Sequence, residues 1–353
     1  MAHPLLQQAQ TSGTPIIDGG RATFLWQGDP PPYLVGDFND WDADHAAHWS
    51  QVEEDLWSFS LEFPPDAYIE YALLLEPRED SRTPDSFNDR TAPNGLGHIN
   101  HYFYMPQGRP TPLIGRAPGV PQGKLSRHRI DNDCLLADGK RWVHLYRPPV
   151  DHPVPLVVVY DAQDYLTRGR ITQIVDNLIA QGRIQPIALA LADNGKAARG
   201  IEYSCNEATI TFVMTEILPL AQKRLNLVDH HQQPGAHAVL GASMAGLMAM
   251  YTGLRVPQVF GHVLSQSGAF EMGQGVQTVV SQLVRYMPRQ PLKIWMDVGR
   301  YEWLLEPNRQ MHALLQERGY DVTYHEYNAG HNYPAWRDDL WRGLEVAYGR
   351  HFR

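Results

Sequence analysis

From Trp142 onward, short apolar runs alternate with segments of helical spacing, and this constrains the fold more than any other feature of the chain. Leu156–Tyr160 (LVVVY) has no polar face, so it reads as a strand buried on both sides. Trp142–Tyr146, Ile187–Leu191, Ala236–Leu240, His262–Ser265, Lys293–Val298 and Val322–Tyr327 read as further strands. Between them Ile171–Gln181, Thr211–Leu225, Ser243–Thr252, Arg309–Arg318 and Trp336–Tyr348 carry helical periodicity. Alternation of this kind requires a mostly parallel, doubly wound sheet with helices on both faces.

The front of the chain follows another rule. Ala22–Trp26, Tyr33–Val35, Trp57–Phe63, Tyr68–Leu75 and His101–Tyr104 are short strand-like runs separated by turn residues. That spacing predicts a small all-β sandwich. Residues 106–123 are punctuated by Pro and Gly without periodicity and read as a linker. The expected organisation is therefore an N-terminal extension (1–21), a sandwich (22–105), the linker and an α/β domain (124–353).

The chain has 353 residues, and its 39 acidic against 30 basic side chains leave a net charge of -9. A nucleic-acid partner would call for a basic face, so none is expected. No apolar stretch is long enough to span a bilayer, so no membrane insertion is expected. Two cysteines, Cys134 and Cys205, cannot form a disulfide framework or a Cys-x-x-Cys zinc site. With no basic-then-apolar leader at the start, a cytoplasmic location is expected.

The chemistry concentrates at Val239–Leu247 (VLGASMAGL), where a strand ends, a sharp turn carries Ser243 and a helix begins at once. This is the setting of a nucleophile elbow, Gly-x-Ser-x-Gly. The last position here is Ala245, with Gly246 following; one extra methyl group should crowd the turn only slightly. A serine nucleophile needs a base held by an acid, and in this fold they follow in the order serine, acid, histidine. Glu302 and His331 supply that order, each just past a predicted strand end, where open α/β sheets place their sites. Asp297, inside the strand, is the rival acid. Acyl transfer also needs an oxyanion site. The backbone N–H groups of Met244, beside the nucleophile, and of Gln163, after Leu156–Tyr160, are the expected donors. Tyr160, Tyr301, Trp303 and Trp336 are candidate aromatic walls or core residues. The chemistry calls for no metal and no organic cofactor.

Separated blocks in the second half carry a family likeness. They are VVVYDAQ ending at Gln163, RGIEYSCN from Arg199, EILP from Glu216, GASMAG around Ser243, VLSQSG through Gly268, GRYE ending at Glu302 and GHNYPAWR from Gly330. On these the chain resembles the esterase-D-like α/β-hydrolases, and among them the enterochelin (ferric enterobactin) esterases. The front half resembles the N-terminal module of those esterases. Through Gly36–Trp41 (GDFNDW) and Trp57 it is also similar to early-set, immunoglobulin-like sandwiches attached to carbohydrate enzymes. The resemblance implies a serine esterase with Ser243 as nucleophile, His331 as base and Glu302 as acid. It places Arg199 and Glu202 near the pocket, either positioning substrate or as structural ion-pair partners. Ser265 and Ser267 match the segment beside the nucleophile. The implied partner is a small-molecule or carbohydrate-linked ester, of the siderophore type in the first reading. Feruloyl or acetyl esters of polysaccharide are the alternative, and a catalytically weak binding protein on the same fold is the third.

Overall fold

The computed structural model describes residues 3–46, 48–271, 273 and 275–350. The chain packs as two units. One comprises Met1–Pro110, Gly299–Trp303 and Glu326–Ala335; the other comprises Thr111–Val298, Leu304–His325 and Trp336–Arg353. Two short segments from late in the chain thus pack with the front of the protein, which the expected division at residue 124 does not anticipate.

Among the described residues of the first unit a helix, α1 (Pro4–Ser12), precedes nine strands: β1 (Ile16–Asp18), β2 (Arg21–Gln27), β3 (Tyr33–Gly36), β4 (Ser50–Glu53), β5 (Leu56–Glu62), β6 (Tyr68–Leu74), β7 (Arg82–Thr83), β8 (Thr91–Pro93) and β9 (Ile99–Tyr104). They form two antiparallel sheets, β1-β2-β5-β4 and β3-β6-β9-β8, with β7 paired to β6. Phe24 from the first sheet and Leu34, Ile69, Tyr71 and Phe103 from the second share one apolar cluster. Residues ahead of position 22 form part of this structure: β1 adds an edge strand, and Leu5, Leu6 and Ala9 of α1 pack with Ile16, Leu25 and Leu56.

The eight further strands among the described residues are β10 (Lys124–Asp131), β11 (Lys140–Arg147), β12 (Leu156–Tyr160), β13 (Ala188–Ala192), β14 (His237–Ala242), β15 (Phe260–Gln266), β16 (Lys293–Tyr301) and β17 (Asp321–Gly330). They lie in the order β10-β11-β13-β12-β14-β15-β16-β17. β10, β11 and β13 pair antiparallel, and β13, β12, β14, β15 and β16 run parallel. The helices are α2 (Ala162–Thr167), α3 (Ile171–Ala180), α4 (Arg199–Tyr203), α5 (Glu207–Phe212), α6 (Leu218–Arg224), α7 (Met244–Arg255), α8 (Val279–Tyr286), α9 (Leu305–Glu317) and α10 (Tyr333–Tyr348). The expected single helix Thr211–Leu225 is α5 and α6 joined by a π-turn at Val213–Ile217. Every residue of β12, β13 and β14 is buried, as the all-apolar runs require. β10 is a mostly exposed polar edge (KLSRHRID), invisible to hydrophobic patterning.

Candidate active site

β14 delivers Ala242 directly into Ser243, and α7 begins at Met244. Ser243 has φ 60° and ψ -125°, a conformation that a side-chain-bearing residue adopts only under constraint. The constraint is visible in its backbone. Ser243 N–H donates to Gln266 O at 2.8 Å, and its carbonyl accepts the amides of Leu247 at 3.0 Å and Ala269 at 3.1 Å. The helix returns so close to the strand that a Cβ at Gly241 would lie 2.2 Å from the carbonyl oxygen of Ala245. Glycine is required at 241 on space alone. Ala245 itself is fully buried and accommodated.

A buried polar frame supports this turn. Gln266 takes the phenol of Tyr165 on Oε1 at 3.0 Å and donates from Nε2 to Asp297 Oδ2 at 2.8 Å and Trp336 O at 3.0 Å. Trp336 Nε1–H donates to Ser267 Oγ at 2.8 Å. Burial pushes the Tyr165 phenol well above its ordinary pKa, as does the charge of Asp297, so it remains a donor. Tyr165 carries no sequence signal, and Gln266, though inside the VLSQSG block, is not one of the two residues, Ser265 and Ser267, that the block singles out.

β16 and β17 run further than expected, through Tyr301 and Gly330, so Glu302 and His331 follow their strands at once. Both residues belong to the first unit, and Ser243 to the second. His331 Nδ1 is hydrogen-bonded to Glu302 Oε2, and Glu302 Oε1 accepts the amide N–H of Gly299 at 2.6 Å. A carboxylate can only accept, so His331 donates from Nδ1. The Glu302 side chain is fully shielded from solvent, and that of His331 is 14% exposed. Asp297, the rival acid, is fully buried and engaged by Gln266. Trp303 is 57% exposed with its ring centroid 4.6 Å from that of His331. Of the other aromatic candidates, Tyr160 and Trp336 are core residues, and Tyr301 packs on Phe63.

Gln163 is exposed and is the second residue of α2, so its N–H has no intrahelical acceptor; Met244 holds the first position of α7. Asp161, the residue before α2, has φ 58° and is buried. Its carboxylate accepts Arg199 Nε at 3.0 Å, Arg199 Nη2 at 2.7 Å and Asn194 Nδ2 at 2.6 Å. Glu202 instead takes Arg141 in a bidentate pair, at 2.7 Å and 2.8 Å, and the amide of Gly195 at 2.9 Å. Arg199 and Glu202 therefore each have a buried or half-buried counter-ion of their own. In the second unit a cavity of about 320 Å³ opens beside Phe270, with Arg285, Glu271 and Met311 in its wall.

Among the described residues, Asp229, His230 and His231 bring ligand atoms within 4.8 Å of one another on the turn before β14. Polar turns of this kind are common without an ion, and nothing else there points to one. No helix among the described residues is long and apolar enough to cross a membrane.

The strand order, the parallel core and the strained serine between β14 and α7 define an α/β-hydrolase. Residues 137–346 match the model of the Esterase family, described as "Putative esterase", and the chain belongs to that family. It is therefore a carboxylic ester hydrolase, related to the enterochelin esterases. It is 26% identical to the iron(III) enterobactin esterase of Dickeya dadantii (strain 3937), over 96% of this chain and 91% of that one. The crystal structure of ferric enterobactin esterase from Salmonella typhimurium is similar, with a TM-score of 0.80 and 21% identity over 98% of both chains. The CE1 ferulic acid esterase of Anaeromyces mucronatus is similar over 67% of this chain and 95% of its own, with a TM-score of 0.56 and 17% identity.

Proposed function

We propose that the protein is a serine esterase acting through an acyl-enzyme on Ser243, with a siderophore-type ester as substrate. The strained backbone of Ser243 at the head of α7 carries this reading. The His331–Glu302 pair, in the expected chain order, supports it.

In this reading Ser243 Oγ attacks the ester carbonyl carbon and passes its proton to His331 Nε2. The oxyanion is held by the amides of Met244 and Gln163. Collapse expels the alcohol, which takes the proton from His331. Water then attacks the acyl-enzyme, with His331 again as base, and releases the acid and the free serine. Arg199 holds the Asp161 turn that carries Gln163, and Trp303 forms an aromatic wall beside His331. No metal or cofactor takes part in these steps; iron, where present, is part of the substrate. The two front sheets are read as an early-set, immunoglobulin-like sandwich, supported by the shared cluster around Phe24 and Phe103. A cytoplasmic site of action fits the exposed free thiol of Cys134.

The substrate class rests on likeness to the enterobactin esterases. The test is a panel of ferric and iron-free catechol trilactones beside feruloyl, acetyl and short-chain acyl esters, with p-nitrophenyl acetate as the common probe. Turnover of trilactones, lost in Ser243→Ala, supports the proposal. Turnover of feruloyl or acetyl esters alone supports the carbohydrate-esterase reading. No turnover of any ester by the wild type supports the binding protein.

A further inference from the structure

We propose that Asp37 is a positioning residue for the reaction: its carboxyl group, seated against the α-carbon of Gly330, fixes the backbone that carries His331. The inference rests on His331 being the general base, and it concerns residues that all belong to the first unit.

Asp37 lies in the GDFNDW turn after β3, 294 positions before His331 in the chain. It is 3% exposed. Its Oδ1 accepts Trp41 Nε1–H at 3.1 Å, and its Oδ2 accepts the amide N–H of Glu70 at 2.8 Å. Both oxygens are thus tied, and the group cannot swing aside without breaking two hydrogen bonds, one buried and one part-buried. The opposite wall is Gly330. A Cβ built there would lie 2.1 Å from both Cγ and Oδ1 of Asp37 and 2.6 Å from Oδ2. Gly330 has no left-handed backbone to explain it, so the glycine is present because the carboxyl group occupies the place of a side chain. His331 is the next residue, and its imidazole is tied to Glu302. Tyr68 and Ala335 pack with Ala329 on the residue before Gly330. The end of β17 is therefore gripped from the front sheets, and Asp37 is the polar part of that grip.

The charges around Asp37 bear on what it contributes. Glu70 on β6, Glu302 after β16 and the Tyr68 phenol all face it. Burial, then the charge of Glu70, raises its pKa well above the ordinary carboxyl range. Disfavouring the charged form lessens the negative charge that Asp37 sets beside the His331–Glu302 pair. Its effect is steric and orientational, which distinguishes it from Glu302.

Three variants decide the matter, assayed with p-nitrophenyl acetate: Asp37→Ala, Gly330→Ala and the double variant, with thermal unfolding to confirm a folded chain. Displacing a catalytic base by about 1 Å costs on the order of 100-fold, so Gly330→Ala should lower kcat by about that factor. Asp37→Ala should lower kcat by about tenfold with KM little changed, because the base is loosened rather than the substrate released. The double variant should regain at least tenfold over Gly330→Ala, since the missing carboxyl group makes room for the methyl group. The limb of the pH profile of kcat/KM that reports the base should not move in Asp37→Ala. Wild-type kcat in Asp37→Ala, a double variant no better than Gly330→Ala, or a limb shifted by a unit or more would each overturn the assignment. His331→Ala serves as the control. If it keeps its activity, the base assignment fails; if it is dead while Asp37→Ala is unimpaired, the clamp alone fails.

Discussion

Glu302 grips His331 at Nδ1 with one carboxylate oxygen while its other oxygen is pinned by the amide of Gly299 at 2.6 Å. The carboxylate is held from both ends, so the tautomer of the imidazole is set by the fold. Glu302→Gln can keep the Gly299 hydrogen bond but turns an N–H toward Nδ1. The imidazole then protonates on Nε2, and kcat should fall by roughly 10³–10⁴-fold. Asp297→Asn should keep kcat within about tenfold, because Asp297 serves the Gln266 frame. Steady-state kinetics of the two variants decide the acid; the reverse pattern would make Asp297 the acid.

Ala245 stands where the elbow motif has glycine, yet it is buried without displacing the turn. Ala245→Gly should leave kcat within about threefold and lower stability by about 1 kcal/mol, the usual penalty of glycine inside a helix. Urea denaturation and esterase assays measure both. A large gain in kcat would show that the alanine holds the enzyme back.

Arg141 and Glu202 form a buried ion pair, with side chains 5% and 9% exposed. Glu202→Ala leaves the buried Arg141 guanidinium with only the half-exposed carboxylate of Asp138, at 3.0 Å, as counter-ion and should cost about 3 kcal/mol. Its KM should remain that of the wild type. A stable variant with a raised KM would instead put Glu202 on the substrate. Arg199→Ala should lower kcat more than it raises KM, since Arg199 braces the Asp161 turn ahead of Gln163.

Trp303 offers an exposed ring beside His331. Trp303→Ala should raise KM for aromatic acyl esters by about tenfold and leave acetyl esters nearly unaffected, a difference of about 1.4 kcal/mol in aromatic contact. Equal effects on both ester classes would contradict a wall that contacts the acyl group.

Acid should weaken the fold through two imidazoles. Burial pushes His237 down to about 4, with the charge of His230 adding to it. Burial pushes His262 down to about 4, with Lys293 adding to it. Above the ordinary histidine value of about 6.5, both are neutral folded and unfolded, and stability is at its plateau. As pH falls from about 6.5 to 4, the unfolded chain binds protons that the folded chain refuses, so stability drops by roughly 3 kcal/mol per residue. Urea midpoints at pH 7.5 and pH 5 should show the loss, and His237→Gln or His262→Gln should flatten it. An unchanged slope in both variants would locate the acid sensitivity elsewhere.

The sequence by itself determined the parallel core, because runs such as Leu156–Tyr160 can be satisfied only by burial on both faces. It also located the elbow, because a strand, a serine and a helix within nine residues leave the backbone one sharp turn. Both are local matters of periodicity and chain length. The tertiary structure alone decided that Asp161 pairs with Arg199 and Arg141 with Glu202. It also brought Asp37 under Gly330 and let the polar strand β10 pair at the sheet edge. Hydrogen bonds and ion pairs between groups far apart in the chain leave no period in the residues between them, so only the folded backbone selects the partner.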